Sequence, residues 1–172
     1  MSLTQKTNVH SEDRGTRPPP AGHLADSLDA KILGLLLDNA RYSAREIGVR
    51  LGVSTSTVIA RMERLKEAGI LKGFVAEIDY EKLGYGLTII TEILVSKGKL
   101  LELEAEIAKI HGVCAVYDVT GETDAIVISK CRNREELSKF TKSLLSMHFV
   151  ERTNSHVVLT TVKEDFRLPI QT

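Results

Sequence analysis

Apolar residues first recur at helical spacing from residue 28. Leu28, Ile32, Leu35 and Leu36 share one face of a helix that starts near Asp26 or Ser27. Ile47 and Leu51 do the same in a short second helix, which Ser43 and Glu46 open at the S-x-x-E spacing of a capping box. Gly52 falls where a sharp turn needs a residue that tolerates positive φ. Ser54 then predicts a new N-cap, and Val58, Met62 and Leu65 continue an inward stripe at i, i+4 and i+7. Two capped helices joined by a tight glycine turn, with a third to bury their inner surface, have the spacing of a helix-turn-helix. Past Gly69, which fits a helix C′ position, ILKGFVAEID predicts two short strands turning at Lys72-Gly73, a wing with Lys72 at its tip.

Gly84-Tyr85-Gly86 predicts a hinge, dividing a winged helix-turn-helix domain over 25–83 from a second domain over 87–172. The period there becomes strand (87–96), helix (100–111, with Leu100, Leu103, Ile107 and Ile110 inward), strand (113–120) and strand (125–131). A helix capped by Asn133 follows through Ser146, with Leu137, Phe140 and Leu144 inward, and then a last strand at 156–162. This βαββαβ order is the ferredoxin-like plan, so the chain as a whole is α+β. Helices in that plan cover one sheet face only. The first strand nevertheless carries Ile90 and Leu94 opposite Leu87, Ile89, Ile93 and Val95, which calls for a second copy on the open face.

Charge sharpens the first half. The 172-residue chain is formally neutral, with 23 basic and 23 acidic residues. From Arg41 to Lys72, however, seven basic residues stand against three acidic ones, a local +4. A concentrated positive surface on a neutral protein suits phosphate contact. Ser54, Thr55, Ser56 and Thr57 place small donors at the start of the second motif helix, and Arg61 and Arg64 follow. Ser56, Thr57 and Arg61 are the leading candidates for base contact, while Arg41, Arg45 and Lys72 would fix the DNA backbone.

The remaining bulk features narrow the class. Hydrophobic content of 42% with 27% charged residues is ordinary for a globular protein. Residues 1–24, with Pro18-Pro19-Pro20 and no periodicity, predict a disordered tail. No apolar run reaches the roughly 18 residues of a membrane span, and the N-terminus lacks a signal-peptide core; a cytoplasmic protein with reduced Cys114 and Cys131 is expected. A two-residue hairpin at 121–124 would set those cysteines opposite each other. The five histidines lack zinc-ligand spacing, with His111-x-x-Cys114 the nearest approach. No nucleophile elbow, P-loop or dinucleotide fingerprint occurs, so neither catalysis nor a cofactor is expected. Glu102, Glu104 and Glu106 read as a solvated helix face; Glu92, inside an apolar strand, marks either a subunit contact or a ligand cavity.

Three stretches together resemble the Lrp/AsnC family of transcription regulators: LDAKILGLLLDNAR at 28–41, the S-x-x-E-I-G-x-x-L-G-V-S run at 43–54, and V-x-x-R-x-x-x-L-x-x-x-G-I at 58–70. Gly121-x-x-Asp124 adds to them, and the resemblance spans about residues 26–168. It implies dimers assembling into larger closed oligomers, and a site between subunits for an amino acid or similar effector. By position that site involves Gly121, Glu122 and Asp124, with Thr153 and Ser155 just before the last strand. Asp124 would accept from an ammonium group, and Gly121, Thr153 and Ser155 would donate to a carboxylate. The same glycine and aspartate are equally explained as hairpin-turn residues. The expectation is a sequence-specific, effector-responsive DNA-binding regulator. A ligand-independent architectural DNA-binding protein and a regulatory subunit of a metabolic enzyme are the alternatives.

Overall fold

The computed structural model describes residues 26–96 and 99–170, so the expected tail over 1–24 lies outside them. The chain divides into two compact units, one running to residue 75 together with the chain from 166 on, the other from 76 to 165.

The first unit is built by local capping. Asp26 caps α1 (Ser27–Asp38), accepting from the backbone N–H of Leu28 and of Asp29, each at 3.0 Å. The Asp29 carboxylate answers by accepting from the Asp26 N–H at 3.2 Å. Ser43 and Glu46 form the same reciprocal pair at the start of α2 (Ala44–Leu51), which ends on Gly52 at φ 68°. Ser54 caps α3 (Thr55–Glu67) through the Thr57 N–H at 3.1 Å. Gly48 explains how tightly α2 meets the start of α3, since a Cβ there would stand 2.8 Å from the Val53 carbonyl oxygen. Ile32, Leu36, Ile47 and Val58 form the buried core, with Leu28, Leu35, Leu51 and Met62 packed against it. The three helices are those expected from the apolar stripes.

The expected wing does not form. Residues 72–79 belong to no strand, and the only sheet among the described residues is the four-stranded one below. A two-residue hairpin needs positive φ at its turn, and Gly73 does not adopt it. Phe74, Val75 and Ile78 consequently stay exposed, Val75 at 91%.

The second unit follows the βαββαβ plan: β1 (Leu87–Val95), α4 (Leu100–Ile107), β2 (Val113–Asp118), β3 (Ala125–Cys131), α5 (Arg134–Leu145) and β4 (Val150–Val157). The strands lie antiparallel in the order β2-β3-β1-β4. Ile93, Val95, Ala125 and Val127 meet Leu103, Ile107, Phe140 and Leu144 in the core between sheet and helices. Two expectations need correction. The last strand runs over 150–157, not 156–162, because an edge strand tolerates the polar sequence of 151–156 that hid it. The cysteines are not opposed either: Asp118 pairs with Ala125 across a longer loop, and the register shifts again between Val113 and Ala115. Cys114 is left exposed, while Cys131 is buried opposite Leu87 and burial pushes its thiol up.

Candidate functional site

α3 places its residues as an amphipathic helix must. Val58 and Leu65 are buried, whereas Thr55, Ser56, Ile59, Ala60 and Glu63 face solvent. At its N-terminus the Ser54 hydroxyl lies 2.8 Å from both the Ser56 Oγ and the Thr57 Oγ1, so part of the hydroxyl cluster serves the cap. Thr57 is half-buried there. Arg41, Arg45 and Lys72 are exposed, although Lys72 sits on an extended segment instead of a wing tip. Arg50, outside the candidate set, stacks 4.0 Å over the Tyr42 ring.

Arg61 and Arg64 turn toward α1. Arg61 bonds Asp26, and its Nη1 lies 3.2 Å from Asp29; Arg64 bonds Asp29 and approaches Asp26 to 3.8 Å. The Asp29 side chain is 1% exposed, Arg61 27% and Arg64 56%. Four charges thus join the first helix to the third. The local excess over 41–72 is correspondingly smaller in space than in sequence, since Asp26 and Asp29 lie outside that window.

This arrangement is pH-sensitive. The Arg61 hydrogen bond first, then the Asp29 backbone N–H, hold the Asp26 carboxyl down from 3.8 to about 2. A carboxyl depressed by folding stabilises the protein above its unfolded value and loses that contribution as pH falls through its folded value. The first unit should therefore lose stability between pH 3.8 and about 2. Asp26→Asn, which keeps a capping side chain, should be less stable at neutral pH and flatter across that window. Acid titrations of both proteins followed by circular dichroism check this; parallel curves would refute it.

The effector candidates divide between the two sheet faces. Asp124 is already engaged: its carboxylate accepts from the Val95 N–H at 2.7 Å, and its N–H donates to the Ile93 carbonyl at 3.0 Å. Thr123 donates its hydroxyl to the same carbonyl at 2.8 Å. These bonds tie the β2–β3 loop, with Gly121 at φ 129°, to the end of β1. Thr153 and Ser155 lie inside β4, not before it, opposite Ile93 and Thr91 on the helix-covered face. The Ser155 Oγ is 3.0 Å from the Thr91 Oγ1.

Glu122 lies on the other side. It lines a cavity of about 150 Å³ with Glu92, Leu94, Thr123, Arg152 and Asn154. Glu92 accepts from the Asn154 Nδ2 at 3.2 Å and lies 3.4 Å from the His156 Nε2. Glu92 therefore belongs to a polar cluster on the open face, continuous with the cavity. Arg152 and Asn154 escaped the sequence reading because the last strand was set too late. Their period-two spacing beside an in-strand glutamate was the available signal.

An AsnC-type helix-turn-helix model matches residues 26–66, and a Lrp/AsnC ligand-binding-domain model matches residues 88–168. The chain is 48% identical over 145 residues to an uncharacterised helix-turn-helix regulator of Pyrococcus abyssi, covering 84% of this chain and 99% of the relative. Among solved structures it resembles a Neisseria meningitidis transcriptional regulator in complex with L-Met. The TM-score is 0.77 at 30% identity, covering 85% of this chain and 97% of that one. E. coli AsnC also superposes with a TM-score of 0.77, at 26% identity over 83% and 97% of the two chains. The chain belongs to the Lrp/AsnC family of transcription regulators, a family of regulators that are not enzymes. It is a transcriptional regulator with a DNA-binding helix-turn-helix unit and a ligand-binding unit. Among the described residues, no helix is long and apolar enough to cross a membrane.

Proposed function

We propose that this protein reads a specific DNA sequence with α3, works as a homodimer that assembles further, and answers to an amino acid or a related metabolite in the cytoplasm. The exposed face of α3, opened by the Ser54 cap and flanked in sequence by Arg41, Arg45 and Lys72, carries the reading. Short side chains at the helix start let the backbone approach DNA, and the exposed bases supply phosphate contacts. Two-fold symmetry then predicts a roughly palindromic site with half-sites spaced by about one helical turn or a multiple of it.

The cavity beside Glu122 supports the effector reading. Glu92 and Glu122 offer acceptors for an ammonium group, while Arg152 and Asn154 offer donors for a carboxylate. At about 150 Å³ it is smaller than the roughly 300 Å³ of an ordinary ligand cleft, which favours completion by a second copy. The L-Met complex of the Neisseria relative is consistent with an amino acid here. Effector binding at a subunit boundary would change DNA affinity through a coupling free energy between the two sites.

The test is a titration against upstream DNA at several salt concentrations, with and without the common amino acids. Site-preferring binding that shifts with one amino acid is expected. Binding indifferent to every amino acid favours the architectural alternative, and no binding at low salt refutes DNA reading.

A further inference from the structure

The outward face of α3 contains a residue that simple phosphate attraction does not explain. Ser56, Ala60 and Glu63 recur at i, i+4 and i+7, so they share one face, and all three are exposed. They span about 10 Å of helix, roughly three base-pair steps. Serine and alanine leave room for close approach to a groove. Glu63 then projects a carboxylate toward a polyanion, where charge alone would disfavour it.

The arginines beside it in sequence do not fill that face. Arg61 and Arg64 are held by Asp26 and Asp29 of α1. Lys66 engages the Glu63 Oε1 at 2.7 Å, which leaves Oε2 available, and the Glu63 side chain is 58% exposed. An acidic side chain facing DNA gains nothing from phosphate, and its favourable major-groove partner is an amino group, with cytosine N4 the characteristic donor. Every other outcome leaves it repelled, which is a means of discrimination.

We infer that Glu63 is a specificity-determining residue, accepting a hydrogen bond from an exocyclic amino group in the major groove, that of cytosine. The inference rests on α3 being the DNA-reading helix. Lys66 stays beside the carboxylate and turns its remaining donors toward the neighbouring phosphate. Ser56 and Ala60 set how deeply the helix sits.

Selection from a randomised duplex pool with the full-length protein, read by sequencing, tests this with wild type, Glu63→Ala and Glu63→Gln. Residue 63 is exposed and both replacements favour helix, so all three proteins should fold alike. The wild type should hold cytosine at one position of each half-site. Glu63→Ala should flatten that position alone, losing about 5- to 150-fold of discrimination. Glu63→Gln should move it toward adenine, which glutamine binds through N6 and N7. Adenine at the responsive wild-type position overturns the assignment to cytosine, since adenine presents its amino group at N6. Identical preferences in wild type and Glu63→Ala overturn the inference, as does a responsive position holding guanine or thymine. A wild type that selects no sequence instead refutes DNA reading by α3, and the role of Glu63 with it.

Discussion

Asp29→Ala is expected to cost the first unit about 2–3 kcal/mol and to weaken binding to every DNA sequence alike. The aspartate is the buried centre of the α1–α3 contact, joined by Arg61 and Arg64 and accepting from the Asp26 N–H. Losing one partner of a buried ion pair commonly costs about 3–5 kcal/mol because the other charge is stranded. Here the stranded arginines are partly exposed and reach water, which lowers the figure toward that of a charged hydrogen bond. Against the 5–15 kcal/mol that holds a typical domain, and less for a small one, this is a large fraction. Thermal melts of the first unit's signal and DNA titrations check it. The decisive comparison is among sequences: a structural role lowers affinity for specific and random duplexes together. A variant that melts normally yet changes which sequence it prefers would put Asp29 or its arginines at the base edges instead.

Arg61 shows where the sequence is informative and where it is not. Helix starts are legible because their bonds are local: Ser43 with Glu46, Asp26 with Asp29, and Ser54 with Thr57 each lie three residues apart. The glycine at 52 is legible for the same reason. The partners of Arg61, by contrast, lie 35 and 32 residues away on another helix. Counting charge within a window missed them, and a cation that looks outward in a list becomes a tie between helices in space. No local signal separates those cases, although two aspartates at the mouth of the first helix were visible.

The ligand-binding unit divides in the same way. Its first five elements stand out because buried strands and amphipathic helices announce themselves by apolar period. β4 does not, since an edge strand needs no continuous apolar run, and Val150–Val157 carries glutamate, arginine, asparagine and histidine. That displacement moved Thr153 and Ser155 out of the strand and concealed Arg152 and Asn154. The loop was found but its chemistry was incomplete: Asp124 spends its carboxylate on the Val95 N–H, while Glu122 faces the cavity. The wing failed for a related reason. Phe74, Val75 and Ile78 have strand-like character, but nothing in the described chain pairs with them as a ladder.

The open face of the sheet leads to the second large effect: Ile128→Asp should convert the protein to a monomer. α4 and α5 contribute to the core with Ile93, Val95, Ala125 and Val127, on the opposite side from Ile90, Leu94, Ile126 and Ile128. Ala115 and Tyr117 extend this second apolar surface onto β2, paired with Ile128 and Ile126. Half-buried isoleucines in the middle of a sheet gain about 25 cal/mol for each Å² of apolar surface that a partner removes from water. A carboxylate at 128 would instead have to be desolvated in each copy when a second copy covers this face. Sedimentation should show the change in mass, while circular dichroism remains native because the side chain does not enter the core beneath the helices. DNA affinity should fall as well, by about 100-fold or more, since two linked reading heads gain effective concentration that one alone lacks. Arg152, Asn154, Glu92 and His156 border the apolar stripe on β4 and β1, so the same substitution should blunt any effector response that needs a second copy at the Glu122 cavity. An unchanged mass for Ile128→Asp would place the subunit contact on another surface, and that cavity would then have to bind its effector within one chain.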